Sequence, residues 1–323
     1  MPRFWEAKKS EEVNFMEEKA ENNHTELRNH RAGFVSIIGK PNVGKSTLMN
    51  VLVGERMSII TSKAQTTRHR IIGILNGNHE NIPFQLVYSD TPGVIKPSYK
   101  LHDSMMTFVK GSLEDADVVL FVVEIGEKAA EHEVLPLLNR TQSPVVLVLN
   151  KIDLSNEEEV KQKMQEWENE IHPAAIIPIS ALEKANIGTL FDAVVTRLPF
   201  HPPYFDEDEL TDKPERFFAS EIIREKIFLN YRQEIPYSSE VVITEFKDRD
   251  DIIVIRAEIL VERKSQKGII IGEKGEMLKK VGIQARQDLE EFFGKKVFLE
   301  QHVKVEPDWR SKENKLRQLG YQE

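Results

Sequence analysis

The sequence predicts two structural units, an α/β unit followed by an α+β unit. From about residue 33 to 198, short apolar, β-branched runs alternate with longer stretches of helical periodicity, which is typical of a doubly wound, mostly parallel sheet. After residue 216 the order changes to helix, two strands, helices, strand and helix. Residues 198–216 between them are rich in proline and acidic residues, as a stiff linker would be.

The boundaries that follow are an N-terminal extension over residues 1–30, a first domain over 31–200, a linker over 201–216 and a second domain over 217–323. The extension has neither the apolar core of a signal peptide nor the low acidic content of a transit peptide. We therefore expect it to be flexible or marginally helical.

Composition favours a folded protein, with 40% hydrophobic and 30% charged residues. Cysteine is absent, which excludes disulfides and thiolate zinc sites and fits a reducing, cytoplasmic setting. No apolar run approaches the roughly 18 residues of a membrane span. Because the net charge is −9, a nucleic-acid-binding surface would have to concentrate its positive charge locally.

The elements of the first unit follow from this alternation. Strands are predicted at residues 34–38, 70–75, 84–89, 118–124, 145–150 and 175–180. Helices are predicted at residues 46–54, 101–116, 133–140, 157–171 and 187–198. Ligands of such a sheet bind at the carboxyl ends of its strands, so the residues that follow each run are the candidates for function.

A phosphate-binding loop is predicted after the first run, where residues 39–47 read GKPNVGKST. Glycines at this spacing let backbone amides face a phosphate chain, and the helix that follows adds its positive dipole end. Lys45 is expected to reach the β- and γ-phosphates, and the Ser46 hydroxyl to ligate Mg²⁺. An ordinary glycine turn is the alternative, which the complete signature disfavours. The candidate residues are Gly39, Lys40, Pro41, Asn42, Val43, Gly44, Lys45 and Ser46.

The sequence DTPG (90–93) ends the run at residues 84–89. Asp90 can hold Mg²⁺ through water, and the Gly93 amide can meet a γ-phosphate. This tetrapeptide is also a routine turn, and its place at a strand end after a phosphate loop is what favours function. The candidate residues are Asp90, Thr91, Pro92, Gly93 and Val94.

The sequence NKID (150–153) indicates selectivity for guanine. An Asp153 carboxylate can accept from both N1–H and the exocyclic amine of guanine, a donor pair that adenine lacks, so an ATPase is disfavoured. Asn150 would brace the loops, and the stem of Lys151 would cover the base. A helix-capping role would explain Asp153 alone. The binding candidates are Asn150, Lys151, Ile152 and Asp153, with Ser180, Ala181 and Leu182 offering amides to guanine O6.

A switch loop is predicted at QTTRH, comprising Gln65, Thr66, Thr67, Arg68 and His69. One threonine would close onto Mg²⁺ in the presence of γ-phosphate and release after hydrolysis, and we favour Thr67 over Thr66. The alternative is a solvated polar loop. The metal candidates are thus Ser46, Thr67 and Asp90.

These motifs, in this order, resemble those of translation-factor-related GTPases. Val94 stands where many such enzymes carry a water-positioning glutamine, so we expect slow intrinsic hydrolysis. Asn42 is a candidate ligand for a K⁺ ion that would neutralise charge developing between the β- and γ-phosphates; a turn-stabilising role is equally open. The catalytic candidates are Asn42, Lys45, Ser46, Thr67, Asp90 and Gly93.

The second unit contains a GxxG sequence, Gly272, Glu273, Lys274 and Gly275, between an apolar run and a helical one. In a KH domain such a loop clamps the backbone of about four single-stranded nucleotides. Residues 263–286 carry seven Lys or Arg against two Glu, whereas residues 214–323 as a whole sum to zero. A glycine turn beside a solvated lysine face is the alternative. The RNA-binding candidates are Arg263, Lys264, Lys267, Gly272, Glu273, Lys274, Gly275, Lys279, Lys280 and Arg286.

The combination of GKPNVGKST, KAQTTRHRI, DTPG, NKID, SEIIREKI and IGEKGEMLKKVGIQAR resembles the bacterial Era family across residues 32–323. The resemblance implies a P-loop GTPase domain joined to a type II KH domain. It also implies Mg²⁺-dependent GTP hydrolysis, binding to 16S rRNA near its 3′ end, assistance to 30S assembly, and a cytoplasmic protein able to sit peripherally at the cell membrane. The extension over residues 1–30 departs from the family pattern.

Two other functions remain open from the sequence. One is a constitutive RNA-binding module whose nucleotide site is structural and does not hydrolyse GTP. Val94 is compatible with this function because it cannot position the attacking water. The other is a membrane-associated cell-cycle regulator for which RNA is incidental. We expect a monomer in each case.

Overall fold

The computed structural model describes residues 29–130 and 132–322, so all but the last two positions of the predicted extension lie outside it. The first unit is built on six strands, with helices between them. The strands are β1 (Arg31–Ile38), β2 (Ile71–His79), β3 (Ile82–Asp90), β4 (Val118–Glu124), β5 (Val145–Asn150) and β6 (Ala175–Pro178). The helices are α1 (Lys45–Val53), α2 (Lys100–Glu114), α3 (Leu135–Leu138), α4 (Glu157–Ile171) and α5 (Ile187–Val195).

The six strands form one sheet in the order β2-β3-β1-β4-β5-β6. Only β2 runs antiparallel to its neighbour, β3, and the other pairings are parallel, which confirms the predicted sheet class. In β4 every residue except the last is buried because helices cover both faces of the sheet. The carboxyl ends of β1, β3 and β5 meet at one edge, which carries the predicted motifs.

The second unit places helices against one three-stranded sheet. Its helices are α6 (Glu215–Asn230), α7 (Ile235–Ser238), α8 (Lys264–Ile271) and α9 (Glu276–Phe293), and its strands are β7 (Glu240–Asp248), β8 (Ile252–Val261) and β9 (Lys296–Val305). The strand order is β7-β8-β9, with the first pair antiparallel and the second parallel. The helices bury Ile223, Ile270 and Leu289 against the sheet.

The segment between the units lies along the first sheet. The buried Gln85 carboxamide on β3 accepts from the Tyr204 and Phe205 amides, at 2.6 and 3.0 Å, and donates to the Phe205 carbonyl oxygen at 2.9 Å. The Ile74 amide of β2 donates to the Leu210 carbonyl oxygen at 2.9 Å. The segment therefore covers the outer edge of β2, whereas its composition predicted only a stiff connection.

The chain returns to the first unit at its C-terminal end. A short 3₁₀ turn (Trp309–Ser311) leads into α10 (Glu313–Gln318), the last predicted helix. Trp309, Leu316 and Tyr321 are buried in the same cluster as Leu101 and Met105 of α2. The helix was predicted from the sequence, but its docking site lies about two hundred residues away in the chain and left no local signal.

Among the helices of residues 29–130 and 132–322, none is both long and apolar enough to cross a membrane.

Candidate functional site

The loop between β1 and α1 closes tightly around its glycines. A Cβ at Gly39 would lie 2.2 Å from the Val122 carbonyl oxygen, and one at Gly44 would lie 2.2 Å from Nδ2 of Asn150. Gly44 also has a φ of 100°, in the left-handed region. Glycine at position 44 therefore lets the loop approach Asn150, which belongs to another motif.

Lys45 begins α1 and is almost fully buried. Its Nζ donates to the carbonyl oxygens of Lys40, at 2.8 Å, and of Gly39, at 3.3 Å. Burial lowers the pKa of Lys45 to about 8, against the opposing effect of the Asp90 and Glu127 carboxylates. The ammonium group is thus held inside the loop, where a phosphate oxygen would be a stronger partner than a neutral carbonyl.

Three hydroxyl groups converge on Oδ2 of Asp90. Ser46 donates at 2.7 Å, Ser58 at 2.8 Å and Thr67 at 3.4 Å, and the Ser46 and Thr67 hydroxyl oxygens are 2.8 Å apart. Burial raises the pKa of Asp90, while these hydrogen bonds and Lys45 act in the opposite direction. The other oxygen, Oδ1, is buried and has no hydrogen-bond partner among the described residues.

This donor set fits Mg²⁺, which prefers oxygen ligands and keeps several waters. Ser46 and Thr67 supply hydroxyl oxygens, and Oδ1 of Asp90 is a buried acceptor with no partner in the part of the chain that the structure describes. Thr66 also lines the cleft, but its hydroxyl is engaged by other partners, since it pairs with Thr61 at 2.6 Å and donates to the Lys63 carbonyl oxygen at 2.7 Å. The geometry therefore favours Thr67 over Thr66 as the switch-loop ligand.

Asn150 joins the loop after β1 to the loop after β6. Its Nδ2 donates to the Val43 carbonyl oxygen at 2.8 Å, and its Oδ1 accepts from the Ala181 amide at 3.0 Å. Asp153 lines the same cleft with an exposed side chain, and the exposed Leu154 and Leu182 stand beside it. The cleft measures about 440 Å³ and runs from the loop after β1 to this apolar mouth.

Some predicted residues support the cleft without lining it. The Val94 amide donates to the Gly39 carbonyl oxygen at 3.0 Å, and its side chain is buried in the core beside α2. Val94 therefore contributes neither a donor nor an acceptor side chain to the cleft. Lys40 pairs with Glu127 at 3.5 Å, outside the lining. Gly93 and Pro41, by contrast, both line the cleft. A Cβ at Gly93 would lie 2.7 Å from three atoms of Pro41, so the DTPG turn is in close contact with the phosphate loop.

The remaining motif residues lie at this same edge. Ile152 is in the 3₁₀ turn after β5, and its amide donates to the Ile179 carbonyl oxygen at 3.2 Å. Ser180 is buried, and its hydroxyl accepts from the Glu183 amide at 3.1 Å. Lys151 pairs with Glu124. Thr91, Gln65 and Thr67 line the cleft, whereas Pro92 joins Thr91 to Gly93 in the turn.

The predicted switch loop is tied to the second unit. The fully buried Arg68 guanidinium pairs with Glu240 at 2.8 Å and donates to the carbonyl oxygens of Ser239, at 2.8 Å, and of Pro236, at 3.1 Å. Lys63 donates to the carbonyl oxygens of Phe228, in the last turn of α6, and of Tyr231, the residue after that helix. The predicted switch loop and the second unit therefore share buried hydrogen bonds and an ion pair.

A second set of contacts surrounds the same loop. Arg224 of α6 donates to the Thr66 carbonyl oxygen and pairs with Glu221. The His69 ring stacks on the Tyr321 ring with centroids 4.2 Å apart, and burial lowers the pKa of His69 to about 3. The Tyr321 hydroxyl donates to Glu240 at 2.6 Å. Sequence reasoning missed Arg224, Glu240 and Tyr321, because partners so distant in the chain share no local pattern.

The GxxG loop lies at the junction of α8 and α9. Gly272 has a φ of 72° and Gly275 a φ of 83°. A Cβ at Gly272 would lie 2.7 Å from Cγ of Met277, whereas one at Gly275 would meet nothing within 4 Å. The Gln266 side chain accepts from the amides of Glu262 and Arg263, both at 3.0 Å, and so fixes the start of α8. Gly275 is therefore the glycine of this loop whose backbone is open to an approaching chain.

Seven cationic side chains lie on and around this loop, and none has an ion-pair partner within residues 29–130 or 132–322. They are Arg263, Lys264, Lys267, Lys274, Lys279, Lys280 and Arg286. Ile270 is fully buried, Ile271 partly, and Ile269 half exposed; Ile283 of α9 is also 44% exposed. The surface thus combines unpaired positive charge with exposed apolar side chains, as single-stranded nucleic acid requires.

Comparison with known families assigns a model to each unit. Residues 34–151 match the family described as a 50S ribosome-binding GTPase. Residues 234–310 match the KH domain. The first range contains the phosphate-binding loop and the DTPG sequence, and the second contains the GxxG sequence.

Two relatives align over almost their whole lengths. GTPase Era of Geotalea daltonii is 47% identical over 302 residues, which cover 92% of this chain and 100% of the relative. GTPase Era of Staphylococcus haemolyticus is 43% identical over 298 residues, covering 91% of this chain and 98% of the relative.

Two solved structures are similar in fold and sequence, each with a TM-score of 0.86 and 42% identity over 90% of this chain and 99% of the other. One is a variant of Aquifex aeolicus Era bound to GDP·AlF₄⁻. The other is Era in complex with MgGDPNP and nucleotides 1506–1542 of 16S ribosomal RNA.

Proposed function

The chain belongs to the Era family of GTPases, and from this premise we propose that its GTP hydrolysis drives a switch in binding to 16S rRNA near its 3′ end, in support of 30S subunit assembly and maturation. The observation that carries the proposal is the burial of Arg68, a switch-loop residue, among backbone carbonyls of the second unit. A loop expected to respond to γ-phosphate is thereby in contact with the domain expected to hold RNA.

Each residue of the cleft has a definite task in this scheme. Lys45 would neutralise the β- and γ-phosphates, and Ser46, Thr67 and Asp90 are the residues that would hold Mg²⁺. Bound there, Mg²⁺ neutralises charge on the phosphate oxygens during hydrolysis. Asp153 reads guanine, and Asn150 keeps the phosphate end and base end of the cleft at a fixed separation.

The same residues explain how RNA affinity can depend on the nucleotide. Thr67 is adjacent in sequence to Arg68, so a change in the ligands of Thr67 strains the Arg68–Glu240 pair. The differential contact made by the switch loop in the two nucleotide states is what can shift the position of the second unit. We propose domain boundaries of 31–200, 201–216 and 217–323 for this arrangement.

RNA is held, in this proposal, by the GxxG loop and the seven cations around it, which have no ion-pair partner within the described ranges. The loop backbone at Gly275 accepts the sugar–phosphate chain, and the exposed Ile269 and Ile283 offer apolar contact to bases. The cationic set makes a contribution that weakens as salt rises.

The test is the affinity of the purified protein for an RNA of the 16S 3′ end, measured with GDP and with a non-hydrolysable GTP analogue. We expect at least a tenfold difference between the two states, about 1.4 kcal/mol of coupling. Equal affinities in both states would leave a constitutive RNA-binding module, and absence of RNA binding would contradict the proposal entirely.

Location is a separate matter. We propose a cytoplasmic monomer, and peripheral contact with the cell membrane stays a prediction. Co-sedimentation with 30S particles, compared with co-sedimentation with anionic lipid vesicles, tests which surface the protein prefers. Recovery with vesicles alone would favour the membrane-associated regulator.

A further inference from the structure

Ser58 makes a contact that the cleft motifs do not include. It lies in the loop after α1 and is 2% exposed, and its hydroxyl donates to Oδ2 of Asp90 at 2.8 Å. Asp90 ends β3, more than thirty residues further along the chain. A buried hydroxyl on a carboxylate at the predicted metal site restricts the rotation of that carboxylate.

The position of Ser58 is fixed by one side chain of α1. Oδ1 of Asn50 accepts from the amides of Met57 and Ser58, both at 2.9 Å, and Nδ2 of Asn50 donates to the Ser58 carbonyl oxygen at 2.8 Å. A single carboxamide therefore holds three backbone groups of the loop. Because Asn50 is in the helix that begins with Lys45 and Ser46, Ser58 moves with the phosphate-binding helix.

We propose that Ser58, held by Asn50, is a positioning residue that keeps the Asp90 carboxylate oriented towards Mg²⁺. The inference rests on the proposed function, in which Ser46 and Thr67 hold the metal ion. Of the three hydroxyls on Oδ2, Thr67 belongs to the switch loop and is released in the GDP state. Ser58 belongs to a loop fixed to α1, so its hydrogen bond persists in both states.

The two oxygens of Asp90 then have different tasks. Oδ2 is occupied by hydroxyl donors, whereas Oδ1 is buried without a partner among the described residues. Holding Oδ2 leaves Oδ1 as the acceptor for the hydration shell of the cation. Residues that orient such outer partners commonly change metal affinity by 10- to 100-fold when they are lost.

The experiment measures how fast a fluorescent GDP derivative dissociates from the full chain as free Mg²⁺ is varied. In Ser58→Ala we expect the half-saturating Mg²⁺ concentration to rise about tenfold, while the dissociation rate at saturating Mg²⁺ stays that of the original protein. With a GTP analogue the rise should be smaller, because Thr67 then also holds the carboxylate.

Asn50→Ala and the Asn50→Ala/Ser58→Ala double variant test whether Asn50 changes the Mg²⁺ response through Ser58. If Asn50 acts through Ser58, the double variant shifts the half-saturating concentration no further than Ser58→Ala does. Ser112→Ala is the matched control. Ser112 lies on α2, and its buried hydroxyl pairs with that of Ser36 at 2.6 Å, so this variant also removes one buried serine hydroxyl. It should lower the melting temperature and leave the Mg²⁺ response unchanged.

The outcomes separate this inference from the proposed function. If GDP release from the unaltered protein ignores Mg²⁺, the metal site itself is wrong and both fail. If that protein responds but Ser58→Ala has the same half-saturating concentration, the positioning role alone is refuted. An equal acceleration of release at every Mg²⁺ concentration would likewise refute it, since it would show a packing defect.

Discussion

Asp153 is the residue on which base selectivity depends in the proposed cleft. Its side chain is exposed at the cleft mouth, so substitution there should alter recognition without disturbing the core. Asp153→Asn replaces one acceptor oxygen with a donor NH₂ group. We expect the ratio of the affinities for GTP and xanthosine triphosphate to move towards xanthosine triphosphate by at least a hundredfold, about 2.7 kcal/mol. Competition binding of the two nucleotides measures the ratio, and an unchanged ratio would remove Asp153 from base reading.

Asn42 is the residue at which dependence on a monovalent cation can be tested. Its Nδ2 donates to the Ser62 carbonyl oxygen at 3.0 Å, which engages the amide nitrogen and not the amide oxygen. We propose that the oxygen binds K⁺, and we expect hydrolysis to be several times faster in K⁺ than in Na⁺. Steady-state GTPase assays in matched salts measure this. Equal rates for the unaltered protein, or a K⁺ stimulation that survives Asn42→Ala, would contradict it.

At this scale the sequence was informative wherever a motif is contiguous. The residues within GKPNVGKST, and those within NKID, are predicted together because each motif is one continuous loop at the end of one strand. Thr67 as the metal ligand stays a prediction, and the structure adds that the two adjacent threonines differ in what their hydroxyls contact. Ser58 escaped prediction because a lone serine after a helix carries no pattern.

Among the elements, the GxxG junction between α8 and α9 offers a clean test of RNA binding. Gly272 is unsuitable because a side chain there meets Met277, so we choose Gly275→Asp. The added charge should weaken RNA binding at least tenfold through repulsion of phosphate, and GTP affinity should stay unchanged. Both affinities are measured by fluorescence titration.

Gly294→Asp is the matched control, at the other end of α9. Gly294 also has a positive φ, of 65°, and a Cβ there meets nothing within 4 Å, so the backbone strain is comparable. If both variants bind RNA equally well, the nucleic-acid clamp lies elsewhere.

The C-terminal segment provides a test of the contact between switch loop and second unit. Tyr321→Phe removes only the hydroxyl that bonds Glu240, and it should lower the free energy of unfolding by about 1–2 kcal/mol. We also expect it to narrow the difference in RNA affinity between the GTP-analogue and GDP states. Chemical denaturation and RNA titration measure the two effects.

Tyr231→Phe serves as the comparison for that change. It removes a hydroxyl bonded to the Ile270 carbonyl oxygen at 2.7 Å, within the second unit, and leaves in place the Tyr231 carbonyl oxygen that accepts from Lys63. A similar loss of stability is expected, with the nucleotide dependence intact. If both variants narrow the difference in RNA affinity between the GTP-analogue and GDP states equally, the cause is the general loss of stability and not the Tyr321 contact.

Element type and order were largely predictable, because helical and strand periodicities are local properties of the chain. The buried strand β4 and the amphipathic α9 illustrate this. Pairing is not local, and so the antiparallel direction of β2 and the docking of α10 on α2 came only from the structure. The same holds for the Arg68–Glu240 pair, which joins residues 172 positions apart.

For the molecule as a whole, the two units share one buried polar network and are not independent bodies. Arg68, Arg224, Glu240 and Tyr321 meet around the switch loop. Removing a charged member of such a network leaves a buried charge without its partner, which commonly costs several kcal/mol. In the proposed function, this network is the route by which the nucleotide state would act on the second unit, and the net charge and domain order alone did not indicate it.

The segment that Gln85 holds against the first sheet has a practical consequence for dissecting the protein. A recombinant fragment that stops at residue 200 would bare the outer edge of β2, including the Ile74 amide, and exposed edges of this kind pair with one another. We expect that fragment to self-associate more strongly on a sizing column than one extended through residue 213, which keeps the edge of β2 covered. If neither fragment self-associates, the exposed edge of β2 does not drive association.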